Sequence, residues 1–155
     1  MTGLKEYPFL DLLTLSTLTL ATCGSSSHPH AAPVYFVAGA DLLFYFFSAP
    51  GSQHAADLDT NPAAAVTIYP ECRGWRDIRG LQMRGIVHRI DPGPRWESAW
   101  QAYRQKFPFV RNLAAIVAHN SLYVFQPNWI RMLDNQFGLG FKREWDLGCD
   151  GESNG

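Results

Sequence analysis

The stretch LLFYFFSAPGSQHAADLDTNPAAAVTI (residues 42–68) decides the fold. Residues 42–47 form a short, aromatic-rich apolar run of the kind that makes a buried strand. Ser48-Ala49-Pro50-Gly51 ends it, because proline removes a ladder donor and glycine tolerates a tight turn. Ser52 is a good N-cap for the segment that follows, and Asn61-Pro62 stops that segment after about two turns. Ala63 and its neighbours up to residue 69 then read as a second strand. The free amides at such a helix start make an anion site, so phosphate is the first ligand to expect there.

Working outward, residues 2–13 read as a short amphipathic helix and residues 16–22, STLTLAT, as a half-buried strand. Residues 30–37 read as one strand, with Pro33 confined to an edge or bulge. Residues 38–41 form a hairpin turn, and residues 78–90 a long strand. Asp91-Pro92-Gly93-Pro94 is a break, after which Pro94 suits the first turn of a helix reaching Lys106. Trp96, Trp100, Tyr103 and Phe107 share one face of that helix and read as core. Residues 110–118 add a helical turn, and residues 121–126 and 129–133 two more strands. The sum is a mainly β chain: an antiparallel Greek-key barrel, closed or nearly closed, with helices at its margins. It forms one domain over residues 1–150, with a disordered tail at 151–155.

Composition excludes several classes of function. With 13 basic and 14 acidic residues, the net charge of −1 leaves no nucleic-acid footprint. Arg73, Arg76, Arg79 and Arg84 read as one solvated face of a strand. Three widely spaced cysteines, without a C-x-x-C pair, indicate free thiols in a reducing compartment and no zinc site. The leucine-rich segment 9–21 is too short to span a bilayer and carries too many Thr and Ser residues for a secretory core. These features point to a cytoplasmic protein without a membrane partner. No serine sits in G-x-S-x-G, and the five histidines lack metal-ligand spacing. Asp57 and Asp59 read as solvating opposite sides of the short helix. An enzyme built from these residues would leave the chemistry to a cofactor.

The succession HAAPVYFV (30–37), LFYFFSAPGSQHAADLDTNPAAAVTIYP (43–70) and IRGLQMRGIVHRI (78–90) resembles the pyridoxamine 5′-phosphate oxidase-like, FMN-binding split-barrel superfamily. The segment LYVFQPNWIRMLDNQFGLGFKREW (122–145) is similar to the C-terminal signature of a small branch of it. The resemblance covers about residues 12–147 and implies a homodimer with two FMN sites at the subunit interface. It implies an oxidoreductase acting on an unidentified small molecule. The alternative is a non-catalytic flavin, haem or deazaflavin binder on the same barrel, with His30 or His119 left as axial ligands by elimination. By the same resemblance, Ala32, Pro33, Val34 and Tyr35 would run along the flavin ring. Phe47 and Ser48 would meet the ribityl and phosphate. Ser52, Gln53 and His54 match the Ser-Arg-Lys triplet that grips the phosphate, and Trp129 and Arg131 would meet the partner's flavin. The triplet departs from the pattern, since Gln53 and His54 replace two cations. Gly80 stands where the oxidases carry a flavin-facing glutamine, and GLGFKREW offers no clear counterpart of the pyridoxal phosphate ligands.

Overall fold

The computed structural model describes residues 6–148. Seven strands follow one another across a single curled antiparallel sheet: β1 (Thr17–Cys23), β2 (Pro29–Tyr35), β3 (Val37–Ala38), β4 (Phe44–Ser48), β5 (Ala63–Ile68), β6 (Arg79–Ile90) and β7 (Ser121–Asp134). Their spatial order is β2-β1-β5-β6-β7-β4-β3, and an eighth strand, β8 (Lys142–Asp146), pairs with β7. Curling brings the two ends of the sheet together, with β2 beside β4, and makes a half-barrel. The helix α1 (Gln53–Thr60) packs across β1 and β2.

Period-two alternation directs one set of side chains inward. Leu18, Leu20, Phe44, Phe46, Val66, Ile68, Leu81, Met83, Phe125, Ile130 and Met132 form the barrel core, each nearly or fully buried. Each such side chain contributes about 1.5–3 kcal/mol of burial. A smaller apolar cluster lies on the other side of β3 and β4. There the helix α2 (Pro94–Lys106) lays Tyr103 and the following Phe107 against Val37, Tyr45 and Phe47. Trp96 and Trp100 belong to the same stripe but remain half-exposed, so only the lower half of that face is core.

Several expectations are corrected. Strand 30–37 is two strands, because the chain leaves the β2 edge at Phe36 and joins the opposite edge as β3. Pro33 does sit on a sheet edge. The strands 121–126 and 129–133 are one long strand, β7, continuous through a bulge opposite Arg84/Gly85 that absorbs Pro127 and Asn128. The N-terminal helix is a 3-10 turn, Leu10–Thr14, within the described residues. The helical stretch 110–118 is a 3-10 turn, Pro108–Leu113, followed by the short helix α3 (Ala114–Ala118). β8 is charged at every position but Trp145 and shows no apolar alternation, so its sequence carries no strand signal. The four arginines do not share a face. Arg73 and Arg76 precede β6, Arg84 points outward over Trp129, and Arg79 is largely buried between Asp11 and Asp134. The tail 151–155 lies outside the described residues.

Candidate functional site

Ser48 is the last residue of β4 and, two positions after Phe46, points inward at the end of the barrel. The chain then turns so that Ser52 N donates to Ala49 O, and Ser52 caps α1, its Oγ accepting from Ala55 N at 3.3 Å. The two hydroxyls approach to 3.5 Å. His54, in the first turn of α1, is hydrogen-bonded through Nε2 with Ser48 Oγ. Its other ring nitrogen, Nδ1, is buried without a partner. An orphaned buried polar atom is uncommon and costs stability, so it calls for an explanation such as a ligand contact.

Two further residues complete the cluster. The register pair Thr22↔His30 puts both side chains on the inner face of β1 and β2. The His30 ring lies nearly parallel to that of His54, with centroids 6.1 Å apart. Behind them sits Asp57, only 4% exposed, accepting from Thr22 Oγ1 at 2.7 Å and from Gln53 Nε2 at 2.9 Å. Gly24 permits this approach, since a Cβ there would stand 2.8 Å from Asp57 Oδ1. The expected solvating role of Asp57 is thereby overturned: its carboxylate is the buried floor of the cluster.

The charges follow from these contacts. The Thr22 hydroxyl, and then the Gln53 amide, hold the Asp57 carboxyl below its usual range. Burial, and then the neighbouring His30, push His54 below its ordinary 6.5, against the pull of Asp57. His54 is therefore neutral at pH 7, while Asp57 is ionised. A base with a depressed folded pKa loses stability on acidification, because the unfolded chain takes up the proton first. Urea titrations are expected to show wild-type stability falling as pH drops below 6.5. His54→Gln, which keeps a donor for Ser48, should flatten that slope; an unchanged slope would move its origin elsewhere.

The residues expected to contact the cofactor divide into three places. Ser48, Ser52 and His54 meet at the barrel end, and His30, the first residue of the strand expected over residues 30–37, joins them. Gln53 starts the same helix, but its amide is engaged by Asp57 and not free for an anion. Ala32 and Val34 face inward opposite Leu20 and Leu18, while Pro33 and Tyr35 face outward. Tyr35 packs edge-on against Phe107 and Phe109. Phe47 turns away from Ser48 and is walled by Trp96, Trp100 and Tyr103. Trp129 and Arg131 lie on the outer face of β7. There Arg131 bonds Glu144 at 2.7 Å, and Arg84 covers the Trp129 ring at 4.3 Å. Gly80 reflects a close approach, since a Cβ there would come within 2.9 Å of Ile68 O. Gln53 and Asp57 stand four apart on a helix, a spacing that already favours their bond and offered a sequence signal for the buried floor.

Residues 10–134 match the family described as pyridoxamine 5′-phosphate oxidase. The chain belongs to that family. It is 30% identical over 129 residues to the UPF0306 protein plu4501 of Photorhabdus laumondii, covering 83% of this chain and 85% of that one. Among solved structures, the haem storage protein HutZ from Vibrio cholerae superposes with a TM-score of 0.68 at 16% identity, over 77% of this chain and 88% of that one. A haem binding protein from Mycobacterium smegmatis gives 0.71 at 16% identity, over 86% and 54%. At these identities the two structures establish the split-barrel fold. Among the described residues, no helix is long and apolar enough to cross a membrane, and no group of three or more His, Cys, Asp or Glu side chains could hold a metal.

Proposed function

We propose that the protein is an FMN-dependent oxidoreductase that works as a cytoplasmic homodimer on a small molecule. The observation that carries this reading is the inward cluster of Ser48, Ser52 and His54 at the start of α1. Two hydroxyls, the first free amides of a helix and an imidazole with an unpartnered nitrogen suit a terminal phosphate. Beside them runs β2, an end strand whose outer row of backbone groups has no sheet partner. Such a row can pair with the polar edge of a flavin ring. Bound flavin would supply the redox chemistry; the chain's own residues would grip the phosphate, align the ring and exclude water.

Trp129 and Arg131 enter this reading only through a second chain. They occupy the outer face of β7, whereas the serine–histidine cluster faces inward beneath β2 and β4. Across that outer face, β1 and β5 present the small residues Thr19, Ala21, Ala65 and Thr67, on which a second sheet could pack closely. Light scattering is expected to give twice the chain mass, with flavin retained by the dimer alone. A flavin-loaded monomer would contradict the two-chain site. The direct test is the absorbance spectrum of the purified protein, followed by FMN titration in fluorescence. Absence of flavin absorbance, of quenching and of an FMN-dependent rise in Tm would overturn the assignment.

Haem binding without turnover is the second reading, and one observation favours it. His30 is a half-exposed imidazole on an edge strand, the kind of group that can ligate iron. Two structural neighbours are named for haem storage and haem binding. A Soret band lost in His30→Ala would support this reading, whereas an unaltered free-haem spectrum on titration would exclude it.

A further inference from the structure

We propose that His30 and His54 form a proton-linked clamp for a phosphomonoester, so that the site takes up a proton as the phosphate binds. The inference rests on the phosphate reading of this site and adds His30, on β2, as its second pole. The oxidase pattern places two permanent cations in the triplet; this chain has Gln53, whose amide is spent on Asp57, and His54. The charged groups acting on His54 are His30 from β2 and Asp57 from the next turn of α1, so neither is a lysine or an arginine. Ser48 from β4 and Ser52 at the helix cap add hydroxyls without charge. Thr22 from β1 is occupied by Asp57.

The surroundings of His54 keep its ring neutral in the free site, and a bound phosphate changes them. With one proton on Nε2, His54 can donate to Ser48 Oγ, leaving Nδ1 as a buried acceptor without a donor. A second proton on Nδ1 would be buried without an acceptor, and the His30 ring, its centroid 6.1 Å away, opposes positive charge on His54. A phosphate oxygen supplies both the acceptor and the opposing charge, so it draws a proton onto the pair. Asp57, fixed behind the rings by Thr22 and Gln53, favours the same charged state from the other side. The ligand thus brings about the cationic site that the sequence does not encode permanently.

The test compares FMN with riboflavin, which lacks the phosphate, by fluorescence titration of the full chain. Uptake of one proton weakens binding by up to about tenfold for each pH unit above the free pKa. FMN is expected to bind roughly tenfold more weakly at about pH 8 than at about pH 6.5, with riboflavin unaffected. His54→Gln and the half-exposed His30→Gln should each flatten the FMN dependence. Equal pH slopes for FMN and riboflavin, or an unaltered slope in a folded His30→Gln variant, would overturn the clamp while leaving flavin binding intact. If neither flavin binds, the flavin assignment falls and inorganic phosphate decides the clamp. Imidazole NMR titrations in phosphate and in chloride should then show the His54 pKa raised by phosphate; an unmoved value would overturn it.

Discussion

Lys106→Met is expected to destabilise the fold by about 2–3 kcal/mol, lowering Tm by roughly 5–10 °C. Lys106 ends α2, and its Nζ donates to Leu13 O at 3.2 Å, Leu15 O at 2.7 Å and Phe36 O at 2.9 Å. It also stands 4.0 Å from the centroid of the buried Phe36 ring. One side chain thereby ties the N-terminal segment to the point where the chain crosses from β2 to β3. Methionine keeps the length and apolar stem of lysine but leaves three carbonyls without this donor. Burial lowers the ammonium pKa from 10.5 to about 8. Between those values the unfolded chain holds more protons, so this group's contribution to wild-type stability increases with pH. The methionine variant lacks that increase, and the stability gap should widen over the same window. Urea melts at neutral and alkaline pH would measure it; a gap that narrows above about pH 8 would refute the buried-ammonium account.

That tie illustrates what the sequence made legible and what it did not. The strand, turn, capped helix and strand of residues 42–68 were readable because each boundary carried its own local signal: Pro50-Gly51, Ser52 and Asn61-Pro62. The barrel followed from alternation, whereas Ser48, Ser52 and His54 were singled out together only by the family resemblance. Lys106 gives no such signal, since its three acceptors are more than 60 positions away and are backbone atoms. His30 was legible as the first residue of a strand, but its approach to His54 depends on the register of β1 and β2. β8 pairs through its backbone while its side chains remain charged and exposed, apart from half-buried Trp145, so alternation could not reveal it. The division of the flavin-contacting candidates among three places has the same origin. Phe47 and Ser48 are adjacent in sequence, and a strand sends adjacent residues to opposite faces.

Gly85→Ala should have the larger effect, costing at least about 3 kcal/mol and leaving much of the protein unfolded or misregistered at 37 °C. A Cβ at Gly85 would lie 2.0 Å from Gln126 O and 2.8 Å from Pro127 Cα. Both obstacles are backbone, so no side-chain rotation relieves the clash. The contact occurs at the bulge where β7 gains a residue relative to β6: Gly85 pairs with Pro127, while Arg84 pairs with Trp129. A bulge accommodates Pro127, which has no N–H for a regular ladder, and resets which β7 side chains face outward. Past it, Ile130 and Met132 are buried while Trp129 and Arg131 join Gln82, Arg84 and Glu144 on the outer face. Removing the bulge by one residue would exchange those faces, burying Arg131 and exposing Ile130. On the proposed two-chain flavin site, the variant should lose the dimer and its flavin together with stability, although Gly85 touches none of the residues assigned to the phosphate. Gly51→Ala is the control, since a Cβ there meets nothing within 4 Å, and its stability should stay within about 0.5 kcal/mol of wild type. Equal melting temperatures for the two variants would show that the bulge does not set the register of β7.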